Sequence, residues 1–262
     1  MILIRQMDLS TPSAPCPPAK RVVERILYHG ADREYGEMRK QMGEGMQAIK
    51  RILNHPSCYY YIRQIMTGGL PFREWVPFYG LDDAGARLAD LGCGPADILR
   101  YVSPGCRPGF YLGIDISDRY LDSARRRAAR AGLNAEFYAL DLARLPHDRE
   151  VQRRLVGLLE DRMISRVLLL GVLHHIDDES ALATLNIVHQ AATVRSLITA
   201  DVVEIPGRFL NNWYCRMDRG IFIRQEAGYA ALIRRSAWRI SGKRWTTHCA
   251  SLAKNLHYVL EK

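Results

Sequence analysis

"LADLGCGPADILRYV", residues 88–102, starts as a buried strand and then breaks on Gly92 and Gly94, spaced as in a nucleotide-binding loop. Glycine at those positions lets the backbone approach a ligand with no Cβ in the way. A dinucleotide loop would place its third glycine where Asp97 stands, just after Ala96. The ligand must therefore accept close backbone contact and tolerate Asp90 and Asp97 around it.

Reading outward from the loop, short apolar runs alternate with helical segments from Ala86 onward, the pattern of a parallel sheet with crossover helices. The expected strands are "RLADLG", "FYLGIDI", "AEFYALDL", "RVLLLGV", "SLITADVV", "WRIS" and "LHYVL". Between the second and third, "SDRYLDSARRRAARAG" reads as a helix with Ser117 as N-cap and Gly132 as its stop. Leu121, Ala124, Ala128 and Ala131 form its inward stripe, which leaves Arg125, Arg126, Arg127 and Arg130 to solvent. Asp177 or Asp178 caps the helix "ESALATLNIV". The fold class is α/β, a Rossmann-like doubly wound sheet. Three regions are expected: a flexible tail over residues 1–20, a helical cap over 21–85 and the ligand-binding domain over 86–262.

In such sheets ligands sit at the carboxyl ends of the strands, where the strand order reverses. Asp115 ends the second strand, in "YLGID", where a carboxylate can accept both hydroxyls of a ribose. A dinucleotide would lay its pyrophosphate on the next helix N-terminus, beside Asp97, and like charges in a partly dry site cost on the order of several kcal/mol. S-adenosylmethionine carries an ammonium and a sulfonium instead, so the same carboxylates attract it. A third acid, Asp141, closes "YALDLARLP", where its carboxylate or backbone can meet the adenine amino group. Leu142 and Ile116 are placed to cover the two faces of the ring.

The succession "LADLGCGPAD", "YLGIDIS", "FYALDLARLP" and "VLLLGVLHHIDD" resembles the motif series of class I S-adenosylmethionine-dependent methyltransferases, closest in style to the small-molecule branch of ubiquinone and menaquinone biosynthesis. The resemblance spans Ala86 to Val203. It implies a sheet that is mostly parallel with an antiparallel last strand, S-adenosylmethionine as cofactor, and cofactor contacts from Asp90, Gly92, Cys93, Gly94, Asp115, Ile116, Asp141, Leu142 and Gly171. Two departures affect the edges of the site. "QAATVRSLITA" replaces the Pro-Gly-Gly turn common before the fifth strand, and the helical "DREVQRRLVGLLEDRM" replaces a short loop.

Methyl transfer is an in-line displacement, and alignment alone can supply about 7 to 11 kcal/mol. His174 and His175, which follow the fourth strand, are the candidate catalytic residues, able to orient or deprotonate an acceptor. His174 is expected to face substrate and His175 the scaffold. Adjacent residues splay apart, so "HHIDDE" is not read as a metal site. "RFLNNWYCRMDRGIFIRQEAGYAALIRR" mixes Trp213, Tyr214 and Phe222 with Arg216, Arg219 and Arg224, suited to an aromatic or acidic small molecule. Tyr214 and Arg219 are the substrate-binding candidates.

The net charge of +9 is concentrated near the C-terminus, where residues 204–262 carry 11 basic and 4 acidic residues. An RNA methyltransferase is one alternative this raises. Against it, "GVLHHI" lacks both the Asn/Asp-Pro-Pro-aromatic grip on a flipped adenine and a Pro-Cys nucleophile for cytosine. A non-catalytic cofactor-binding subunit is the other. The six scattered cysteines form no CxxC pair and read as free thiols. No apolar run approaches the roughly 18 to 20 residues of a membrane span, and "MILIR" is too short for a secretory segment. The expected protein is a cytoplasmic enzyme, monomer or homodimer, acting on a small molecule.

Overall fold

The computed structural model describes residues 72–102, 105–217, 220–248 and 253–262. The tail over residues 1–20, nearly all of the cap and Arg219 lie outside them.

Seven strands form one sheet in the order β3-β2-β1-β4-β5-β7-β6. β1 (Arg87–Leu91), β2 (Phe110–Asp115), β3 (Ala135–Ala139), β4 (Arg166–Leu170) and β5 (Ser196–Val202) run parallel. β7 (Ala253–Glu261) is antiparallel to β5, and β6 (Arg239–His248) is antiparallel to β7. The order reverses between β1 and β4, which places the glycine loop at the switch point. β6 and β7 run well beyond "WRIS" and "LHYVL". The sequence conceals the rest because an edge strand such as "GKRWTTH" keeps one polar face.

Six helices cover the sheet among the described residues: α1 (Phe72–Tyr79), α2 (Asp118–Arg130), α3 (Arg149–Asp161), α4 (Asp178–Gln190), α5 (Phe209–Met217) and α6 (Glu226–Arg234). One core layer joins Leu91, Leu112, Val167 and Leu169 to residues of α3, α4 and α6. The other joins Leu88, Tyr111, Leu168 and Ile198 to α1 and α2. The capping expectations hold. Ser117 accepts the Tyr120 N–H at 3.4 Å, Asp177 accepts the Ser180 N–H at 2.7 Å, and Gly132 turns the chain at φ 59°.

α1 is held to the β6–β7 hairpin through a buried imidazole. Trp75 stacks on His257 with ring centroids 4.6 Å apart, and Arg244 lies over the Trp75 ring. The two nitrogens of His257 meet the Tyr79 hydroxyl at 3.3 Å and the Thr246 hydroxyl at 3.0 Å.

Packing at Gly113 in β2 is tight enough to require glycine. A Cβ there would lie 2.4 Å from the Phe137 ring and 3.0 Å from the Cys93 sulfur.

Candidate functional site

The loop after β1 is drawn against the end of β2 by backbone bonds: Gly92 and Cys93 both donate to the Ile114 carbonyl, at 2.7 and 2.9 Å. Gly92 and Gly94 have φ of 75° and 53°, the left-handed region that glycine enters without strain. At Gly92 a Cβ would strike Val172, 2.6 Å away, whereas at Gly94 it would meet open space. The second position therefore faces a clear approach to the backbone. Asp115 closes the loop, accepting the Gly94 N–H at 2.8 Å on one oxygen and the Ser117 N–H at 2.9 Å on the other. Next to it Ile116 is 66% exposed, an apolar side chain held at the rim of the loop. Gly171, also at positive φ, ends β4 across the switch point.

Asp90 and Asp97 take other roles than the sequence implies. Strand alternation puts Asp90 on the same face as Leu88, where it is buried and accepts the Tyr111 hydroxyl at 2.5 Å. Burial and that carboxylate push the Tyr111 phenol well above its ordinary value. Burial, with Asp90 and Asp115 nearby, likewise keeps the Cys93 thiol protonated. Asp97 is buried and ion-paired to Arg127 at 3.0 Å and Arg100 at 3.3 Å. Arg127 is thus not solvated as its helix pattern suggested; it sits beside the Ala124–Ala128 stripe and reaches the loop.

With Asp97 neutralised, the case against a diphosphate moves from charge to geometry. The loop leads into a single five-residue 3-10 segment, Asp97–Tyr101, rather than into a long α-helix. Such a segment offers little of the dipole that a diphosphate uses.

On the third strand end, Asp141 accepts the Ala143 N–H at 2.9 Å and its side chain stays half-buried. Leu142 is buried in the core, 7% exposed, which leaves little of it to cover a ring.

At the other side of the switch point the two histidines differ in burial. His174 is buried and His175 exposed, their rings 4.1 Å apart. His174 is held by Asp201 of β5, which no local motif announced. One Asp201 oxygen accepts the His174 backbone N–H at 3.2 Å and lies 2.8 Å from Nδ1. A carboxylate can only accept, so Nδ1 carries a proton towards Asp201. The two carbons bonded to Nε2 are the ring atoms nearest Gly171 and Gly220; a Cβ on Gly220 would lie 2.2 Å from one of them. Gly220 therefore makes room for this imidazole, whereas a Cβ on Gly171 would meet it at an ordinary 3.6 Å contact. Tyr229 packs close by and donates to the Val202 carbonyl at 2.9 Å; burial and the Asp201 charge push its phenol far up.

Arg224 is not available to an acidic substrate. It donates to the Leu173 and Ile176 carbonyls at 2.6 and 3.1 Å and pairs with Asp178 at 2.6 Å, strapping the segment after α5 onto the histidine loop. The Phe222 N–H adds a bond to the His174 carbonyl at 3.0 Å. Tyr214 is half-buried on α5 and Arg216 is exposed. Among the described residues no three His, Cys, Asp or Glu side chains gather as a metal site, and Cys93, Cys106 and Cys215 are free thiols.

Residues 88–193 match the model of a methyltransferase domain family. No curated protein sequence matches the chain. Among solved structures, it is similar to magnesium protoporphyrin IX methyltransferase from Synechocystis PCC 6803, solved with bound S-adenosylhomocysteine, at 16% identity and TM-score 0.52, covering 84% of this chain and 94% of that one. A SAM-dependent methyltransferase from Aquifex aeolicus aligns at 14% identity and TM-score 0.50, over 78% and 97% of the two chains. The [4+2]-cyclase SpnF aligns at 15% identity and TM-score 0.51, over 72% and 79%. At these identities the likeness shows the fold, and the domain match covers residues 88–193, from β1 into the turn before β5. The loop fits the cofactor: Gly94 leaves backbone access, Asp115 offers a carboxylate and Ile116 an exposed apolar surface.

Proposed function

We propose that this chain, an S-adenosylmethionine-dependent methyltransferase, methylates an oxygen or nitrogen that bears a proton on a small metabolite. The observation that carries this reading is the Asp201–His174 pair at the ends of β5 and β4. A hydroxyl or an ammonium yields its proton to a positioned imidazole more readily than a C–H bond does, so such a base suits an oxygen or nitrogen acceptor.

Each residue has its part. Asp115 receives the ribose hydroxyls, the Gly92–Cys93–Gly94 backbone lines the approach, Ile116 covers the adenine and Asp141 meets its amino edge; Gly171 borders the cleft opposite. Asp90 acts on the loop from beneath, through Tyr111. When bound, S-adenosylmethionine supplies a methyl group already activated by a sulfonium. His174 takes the acceptor's proton as the acceptor is held in line, and a positioned base of this kind contributes roughly a hundred- to ten-thousandfold. Asp201 is the positioning residue: it fixes the tautomer and steadies the imidazolium that forms. His175, exposed with its ring tilted against that of His174, borders the acceptor side with Tyr214; Arg219, the other substrate-binding candidate, lies outside the described residues.

A metabolite extract incubated with methyl-labelled cofactor tests the reading. Label is expected in a bond to oxygen or nitrogen. His174→Ala should lower its incorporation while calorimetric affinity for S-adenosylhomocysteine stays unchanged. Label on carbon, or undiminished incorporation by the variant, overturns the assignment.

A further inference from the structure

The helix α5 is built inside out. Its inner side is polar: buried Asn211 donates to the Val203 carbonyl at 2.8 Å and accepts the Lys254 N–H at 2.9 Å. Asn212 brackets Ile205, accepting its N–H and donating to its carbonyl, both at 2.9 Å. Its outer side is apolar, with Phe209 76%, Leu210 54% and Trp213 55% exposed. A surface helix ordinarily turns its apolar stripe inward. Where the described chain resumes after α5, Ile221 is 77% exposed and Phe222 is exposed beside it.

The segment that carries this face has a basic excess, flanked by Glu204 and Glu226. Residues 205–225 contain Arg208, Arg216, Arg219 and Arg224 against Asp218 alone. Arg224 is committed to the histidine loop, while Arg208 and Arg216 are exposed at the two ends of α5. A nucleic acid would satisfy the arginines and leave Phe209 and Leu210 in water. An uncharged protein surface would do the reverse. Anionic lipid headgroups over an acyl layer match both at once. Among the described residues no helix is long and apolar enough to cross a bilayer, so the contact lies on the surface.

We propose that α5, with Ile221 and Phe222, is an interfacial face that seats the protein on an anionic lipid surface. Asn211 and Asn212 anchor the helix to residues 203–205, just past the end of β5 that carries Asp201. Docking therefore sets the acceptor side of the site next to the lipid.

The test uses the full chain and vesicles of phosphatidylcholine with or without about a third phosphatidylglycerol. Cosedimentation should show binding to the anionic vesicles, roughly tenfold weaker to the neutral ones and weakened by salt. Trp213 is the exposed member of the four tryptophans, so emission should shift to the blue on binding. The variant Phe209→Ser/Leu210→Ser/Trp213→Ser should lose vesicle binding by roughly tenfold or more and keep its calorimetric affinity for S-adenosylhomocysteine. Arg208→Gln/Arg216→Gln should lose the preference for anionic lipid. No binding to either vesicle, equal binding to both, or unchanged binding by the triple serine variant overturns the proposal. So does a dimer in sedimentation that the triple variant converts to monomer without any lipid contact, which would assign the face to a second copy of the chain.

Discussion

The two sides of the switch point are built by different means. On the β1–β2 side, contacts between motif residues make the site: Gly94 to Asp115, Ser117 to Asp115, Gly92 to Ile114. On the β4–β5 side the central contact joins His174 to a strand residue 27 positions away, and a loop from beyond α5 is strapped over it by Arg224. The first side is a backbone cradle closed by one carboxylate. The second is a buried side-chain pair whose geometry depends on three elements meeting. Binding and turnover should therefore fail separately.

The largest effect is expected at Asp115. Asp115→Ala removes two charge-assisted bonds within the loop along with the ribose contact, and S-adenosylhomocysteine affinity should fall at least about a thousandfold by calorimetry. Retained affinity would erase the cradle as the binding side. Asp201→Asn should leave that affinity intact, lower turnover about a hundredfold and change its pH dependence, a readout that a purely structural role would leave in place. If cofactor binding fell instead, the division between the two sides would be wrong. Gly113→Ala, which presses on Phe137 and Cys93 beneath the cradle, should cost about 2 kcal/mol in thermal unfolding.

The smallest effect lies at a helix end. Asp177→Ala should cost about 1 kcal/mol, because the Ser180 N–H loses its acceptor. That N–H holds the Asp177 carboxyl below its ordinary value. Its contribution is complete above the unfolded carboxylate range, near about 3.9, and disappears as pH falls through the lowered folded value. Unfolding curves of variant and parent should converge in strong acid.

This division also explains what the sequence disclosed. Gly92, Gly94, Asp115, the Ser117 cap and the five parallel strands are local patterns, since a strand followed by a tight turn leaves its mark within a few residues. Asp201 left a fainter one, a lone acid at the end of the apolar "SLITADVV". Nothing adjacent could say that its partner was His174 rather than solvent, so the burial of His174 beside an exposed His175 was not legible. Arg127 was misread for a similar reason. Its position three residues after Ala124 puts it on the margin of the buried stripe, and only the packing of α2 against the loop reveals Asp97 as its partner. Arg224 looked like a substrate cation until three elements were seen to converge on it. The polar outer face of β6 hid the continuation of "WRIS" to His248, which only its pairing with β7 makes visible.

The position of β7 bears on how the molecule is made. As a ribosome releases the chain, β1 to β5 can pair among themselves, but β6 emerges with no neighbour, because the strand that belongs between it and β5 is still untranslated. Arg244, Trp245 and Thr246 must wait for β7 before joining the sheet, and α1, emerged long before, waits with them for His257. A stall or premature stop between β6 and β7 would thus strand the earliest described helix and β6 together, presenting quality control with an exposed aromatic surface from both.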